Sequence, residues 1–217
     1  MAYKAIIAGA SGLIGSNLLK ILLNKPEYDE VLVLVRKELP VQHKKLVQLI
    51  INFDELPQYA SAITGHAVFS CLGTTKAQTP DKSTYRKIDH DYPLQLAQLA
   101  KQNGVKHFHL VSAIGANENS SMFYLKLKGE LETSLRHVGL DVLHIYQPSM
   151  LIGDRDKTRF AEKVIGGLFK VIDPLLAGSL KKYQSIQGSR VAEAMFKKSL
   201  DDSPGIFIHT TDKIKKI

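Results

Sequence analysis

Two spacings of apolar residues alternate along this chain. One is short and unbroken. Residues 3–8, 31–35, 46–51, 67–72, 107–111 and 142–146 are mainly apolar runs of five or six, several of them rich in Val and Ile. Runs of this kind read as strands, and unbroken ones as parallel strands covered on both faces. The other spacing is longer, with apolar positions three and four apart. It covers residues 18–23, 85–103 and 122–138, with a shorter stretch at 57–63, and reads as helices packed on a sheet. Pro93 falls inside the 85–103 pattern, so a start or kink is expected there, and Gly104 supplies a C-terminal cap.

Strand and helix alternation predicts an α/β chain built as a doubly wound parallel sheet. A length of 217 residues suits a single domain, 1–217. After residue 150 the pattern is weaker. Helical spacing at 160–171 is interrupted by Gly166-Gly167, 174–178 reads as loop, 183–186 as a short strand, 189–200 as a helix and 206–209 as a last strand. Residues 150–217 are expected to form a small substrate-side cap.

The first strand runs into Gly9-Ala10-Ser11-Gly12-Leu13-Ile14-Gly15 and then a helix. Strand, glycine turn and helix form the opening of a dinucleotide site. Gly9 turns where a side chain would clash, Gly12 lets the backbone approach a pyrophosphate, and Gly15 lets helix and strand sit close. Free amides at the helix start, from Ser11 to Gly15, then point at the anion.

The second strand ends in Arg36-Lys37, with no acidic residue before Glu38. An acidic residue there would hold the ribose hydroxyl of NAD, whereas a basic one accommodates the extra phosphate of NADP. NADP(H) is therefore predicted, with Arg36 as the main contact and Lys37 beside it. Asp54, after the third strand, is placed to meet the adenine. Cys71-Leu72-Gly73-Thr74 lies at the carboxyl end of the fourth strand, which is the ligand side of such a sheet. Cys71 itself reads as a small buried residue rather than a nucleophile, since no His or Asp stands in a partner pattern.

Ser112 closes the fifth strand, and Tyr124 and Lys128 lie four apart on the helix that follows, facing the same way. A phenol has a pKa of about 10, and a nearby ammonium lowers it. Tyr124 would pass a proton to a carbonyl oxygen while a nicotinamide delivers hydride. Ser112 would hold the same oxygen, and Lys128 would also grip the cofactor ribose. His107 and His109 share one strand face, but two histidines with no third ligand nearby predict no metal.

These segments resemble the short-chain dehydrogenase/reductase superfamily, marked by Tyr-x-x-x-Lys with an upstream Ser. Within it they are similar to the small, atypical Tat-interacting-protein-like oxidoreductases. The matching stretches are GASGLIG at 9–15, CLGTT at 71–75, KIDHDYPLQLAQLA at 87–100, GVKHFHLVSAIGA at 104–116, FYLKLKGELE at 123–132 and QPSMLIGDR at 147–155. The resemblance implies an NADP(H)-binding Rossmann domain, with Ser112, Tyr124 and Lys128 as the triad and Pro148 lining the nicotinamide. It departs from the family in two places. Ala113 stands where a second serine is common, and the superfamily's relay Asn has no clear match, Asp89 being nearest.

Composition narrows the class. Net charge is +8, yet the lysines are scattered and no aromatics interleave them as a base-stacking surface requires, so no nucleic acid is expected. No apolar run reaches the roughly 18 residues that span a bilayer. One cysteine and the lack of a secretory signal point to a reducing compartment, read as cytoplasmic. The reading is an NADP(H)-dependent oxidoreductase acting on a small carbonyl or alcohol. A redox-sensing regulator that binds NADP(H) and a protein partner without turnover is the second reading, which keeping both Tyr124 and Lys128 argues against. The substrate is chosen by 74–82, 117–122 and the segment after Met150, and helices 85–103 and 122–138 could pair in a homodimer.

Overall fold

The structure, a computed structural model, describes residues 3–153, 176 and 178–217. Among these, β1 (Tyr3–Ala8), β2 (Tyr28–Val35), β3 (Leu46–Ile50), β4 (Ala67–Ser70), β5 (His107–Val111), β6 (Val142–Gln147) and β9 (Gly205–Thr210) form a seven-stranded sheet. Its order is β3-β2-β1-β4-β5-β6-β9, and every pairing is parallel. A separate two-stranded ladder joins β7 (Leu151–Ile152) to β8 (Ile186–Gln187). The order reverses between β1 and β4. At such a switch point the loops on either side part and leave a crevice at the carboxyl edge.

Helices cover both faces, so the strands are buried twice over. On one side α1 (Leu13–Asn24), α5 (Gly188–Lys198) and α6 (Thr211–Ile214) pack on Ala5, Ile7, Val31, Val33 and Phe69. On the other, α3 (Tyr92–Gln102), α4 (Phe123–His137) and a 3₁₀ turn at Phe53–Ala62 cover Ile6, Leu32, Val68, Phe108 and Ile145. Leu18 and Leu22 of α1 are fully enclosed, each contributing about 1.5–3 kcal/mol relative to exposure.

The 85–103 pattern resolves into three pieces. A short α2 (Lys82–Arg86) passes through a π-helical turn, Lys87–Asp91, into α3. Pro93 occupies the first turn of α3, where its missing N–H costs nothing. The wide turn brings Asp89 and His90 inward, to 1% and 6% exposure, and turns of this kind recur at functional sites.

The tail contributes directly to the main sandwich. Its helix, α5, packs beside α1, and β9 pairs with β6 from Val142↔Gly205 to Gln147↔Thr210. The short strand expected at 183–186 instead lies at Ile186–Gln187, because Gly178–Tyr183 is a 3₁₀ turn. The helical spacing at 160–171 and most of the loop at 174–178 lie outside the described residues. No helix among the described residues is long and apolar enough to cross a membrane.

Candidate active site

The glycine turn follows β1 at the switch point. Gly9 has φ +88°, and a Cβ on it would come within 2.5 Å of the Cys71 carbonyl oxygen. A Cβ on Gly15 would overlap the Gly9 carbonyl, so helix and turn are in contact there. Gly12 is the N-cap of α1; its own N–H bonds the Gly9 carbonyl at 3.0 Å. The first turn of α1 holds no acidic side chain and no side-chain cap, which leaves its amides and dipole for an anion. Leu13 is wedged on the far side: a Cβ on Gly153 or Gly188 would strike its side chain. Ser11 is exposed, while Ile14 is buried against the sheet.

A chain of contacts runs from this turn to the chemistry. Cys71 backs onto Gly9, and Gly73-Thr74 follows it at the end of β4. The Thr74 N–H donates to Asp89 Oδ2 at 2.8 Å, and Tyr85 donates its hydroxyl to the Thr74 carbonyl. Asp89 Oδ1 lies 3.0 Å from Lys128 Nζ, with the two side chains 1% and 3% exposed. One turn before Lys128 on α4 stands Tyr124, 38% exposed. The phenol thus belongs to the same sheet edge as the glycine turn.

The electrostatics differ from the simple pair. Burial works against the Lys128 charge, but Asp89, with Tyr124 and Glu132 beside it, outweighs burial and holds the pKa above the ordinary value. Packing around Tyr124 pushes its pKa up, Lys128 pulls it down and Asp89 pushes it up again, leaving it raised. The expectation of a lowered phenol is corrected here, because burial outweighs the ammonium and Asp89 adds to the rise.

Ser112 is buried and its hydroxyl donates to Glu132, a full turn beyond Lys128 on α4. Gln147 Nε2 donates to both Glu132 oxygens, at 2.9 and 3.0 Å. Burial raises the Glu132 pKa more than these bonds lower it. Pro148 lies behind, its carbonyl accepting from Ile114 at 3.0 Å. Arg36 and Lys37 stand exposed beyond β2. Asp54 is exposed after β3, and its Oδ1 accepts from Lys87 Nζ and from the Tyr92 hydroxyl, both at 2.8 Å. Burial pushes the Cys71 thiol up to about 12, too high for a thiolate nucleophile.

Sequence reading missed three features. Glu132 completes the series 124, 128, 132, a four-residue spacing visible in the chain but without an obvious role. Gly129 packs so close that a Cβ would collide with the backbone of Asn117 and Glu118, seating α4 on the loop after β5. His144 lies opposite His109 in the β5–β6 register, a neighbour that spacing along the chain cannot reveal.

The residues present fit a dinucleotide: the cradle is one a Cβ would fill, and the amides above it lack a side-chain cap. Fold and site together define an NAD(P)-binding protein of the oxidoreductase type. A family model described as NAD(P)H-binding matches residues 9–169. The rat protein HTATIP2 is 37% identical over 173 residues, 76% of this chain and 71% of its own length. Protein FMP52, mitochondrial, of Kluyveromyces lactis is 34% identical over 204 residues, 92% and 91% of the two chains. The chain belongs to this NAD(P)H-binding family, among the atypical short-chain dehydrogenases/reductases.

Solved structures share the fold. WbmH of Bordetella bronchiseptica, in complex with NAD+, superposes with a TM-score of 0.73 at 16% identity, covering 97% of this chain and 76% of its own. A putative NAD-dependent epimerase/dehydratase from Bacillus halodurans gives 0.70 at 19%, covering 99% of each. One expectation is overturned. Several relatives are named as mitochondrial proteins, so a purely cytoplasmic assignment does not stand. A lone cysteine fits a reducing environment, and more than one compartment provides that.

Proposed function

We propose that this protein is an NADP(H)-dependent oxidoreductase acting on a small carbonyl or alcohol, with Tyr124 carrying the proton. The observation behind it is the Thr74–Asp89–Lys128 chain, which ties the Tyr124 face of α4 to the glycine turn. NADP(H), when bound, supplies or takes the hydride. The turn from Gly9 to Gly15 would hold the pyrophosphate, and Arg36 with Lys37 the 2′-phosphate. Leu72, Gly73, Thr74 and Pro148 would line the cleft.

Tyr124 Oη gives its proton to the substrate oxygen in the reductive direction. A raised pKa keeps the phenol protonated at neutral pH, the form a general acid needs. Lys128 stays charged beside it because Asp89 pairs it. Ser112 takes part when Glu132 carries a proton: the carboxyl then donates to Oγ, and the serine hydroxyl is free to hold the substrate oxygen. Met122 and Phe123, 62% and 40% exposed, offer an apolar rim for the substrate. Residues 150–217 would close part of that side, and the outer faces of α3 and α4 would meet in a homodimer, which light scattering on the purified protein checks.

NADPH oxidation across an aldehyde and ketone panel tests the reading. Tyr124→Phe should slow turnover by about 10²–10⁴-fold and leave NADPH binding unchanged. Equal rates in the two proteins remove Tyr124 from the chemistry.

A further inference from the structure

We propose that His107, His109 and His144 form a buried site for one divalent transition-metal ion, zinc being the best-suited class, at the edge of the sheet away from the candidate active site. His107 and His109 alternate onto the same face of β5, and His144 of β6 is the direct register partner of His109. His109, the member of the cluster nearest Ser112 along β5, lies three residues before it, about 10 Å along the strand, and His107 lies farther, so the cluster is set back from the cofactor edge.

All three imidazoles are enclosed, at 0%, 0% and 1% exposure. One ring nitrogen of each lies within 4.8 Å of one on each of the others. In every ring one nitrogen is already engaged outward. His107 Nε2 donates to the Asp202 carboxylate at 2.8 Å, His109 Nδ1 pairs with the Tyr146 hydroxyl at 3.2 Å, and His144 Nδ1 pairs with His209 Nε2 at 2.9 Å. The three remaining nitrogens, His107 Nδ1, His109 Nε2 and His144 Nε2, have no hydrogen-bond partner. Ligating histidines show this division, one nitrogen held by an outer group and the other left with its lone pair for the metal.

Each of the three neighbouring rings thus keeps one unpaired nitrogen, which is costly in a dry core, and a single cation between the rings would satisfy all three. An all-nitrogen set excludes calcium and magnesium, which take oxygen ligands, and suits zinc or cobalt. Zinc–nitrogen bonds of about 2.0–2.1 Å put tetrahedral ligand atoms about 3.3 Å apart. The rings, now stacked at 13° and 21° to one another, therefore tilt to bring their nitrogens in line and close by up to about 1.5 Å on binding. The ion would bind β5 to β6 and, through Asp202, to the turn after α5.

The test is metal analysis of protein without a polyhistidine tag, produced with added zinc so that the ion enters during folding. The expected content is about one zinc per chain, and growth with cobalt should give the visible bands of tetrahedral cobalt. His144→Phe keeps a ring beside Phe207 and should lose metal and bands while its circular dichroism stays native. His137→Gln, at an exposed histidine, should keep both. A wild type free of stoichiometric metal, or His144→Phe holding as much as wild type, overturns the site.

Discussion

Replacing Asp89 by Asn removes the charge partner of a buried ammonium while keeping the side chain's shape. The amide oxygen can still accept from the Thr74 N–H, so the β4 loop stays anchored and the effect reports on charge. Two unit charges 3.0 Å apart attract by about 5 kcal/mol at an effective dielectric of about 20. Removing one member of a buried pair costs about 3–5 kcal/mol, a large part of a domain's roughly 5–15 kcal/mol. The sign with pH distinguishes this from generic damage. In the wild type the Lys128 pKa is raised, so its stabilisation is full below the unfolded lysine value, about 10.4, and lost as pH rises through the folded one. In Asp89→Asn, burial without its ion-pair partner depresses the Lys128 pKa, and stability then rises with pH up to that unfolded value. Urea unfolding at about pH 7 and about pH 9.5 should show the gap between the two proteins narrowing at the higher pH. Equal stability at both, or a constant gap, would refute the reasoning.

Two further substitutions probe the frame. Gly15→Ala puts a methyl into the Gly9 carbonyl and should abolish NADPH binding, with a loss of about 1–3 kcal/mol by the same urea assay. Asp81 caps α2 through the Thr84 N–H at 2.7 Å and the Ser83 hydroxyl at 2.6 Å; Asp81→Ala should cost about 1 kcal/mol and leave nucleotide affinity alone.

The sheet was legible because its strands are unbroken apolar runs, and because a parallel strand buried on both faces can hardly be written otherwise. Gly9 and Gly15 could be read for the same reason: their conformation and closeness exclude every side chain. Pro93 signalled a break in its helix but not a π-turn, whose consequence is to carry Asp89 under Lys128. Asp89 was visible as the nearest stand-in for a relay residue, yet a direct pair across 39 positions has no local signature. Ser112 and Asp54 show what position alone leaves out: the Ser112 hydroxyl donates to Glu132, and Asp54 Oδ1 accepts from Lys87 and Tyr92, and such partners emerge only from tertiary packing. His144 is the same case across the register of two strands.

Calorimetric titration of the wild type with NADPH and with NADH tests the central claim most directly. The account predicts saturable binding of one NADPH per chain, tighter than NADH by about 10–100-fold, the value of a charged hydrogen-bonded contact of about 1.5–3 kcal/mol, with Arg36→Ala removing most of that difference. Binding of neither nucleotide, or equal binding of both that Arg36→Ala leaves untouched, would contradict it.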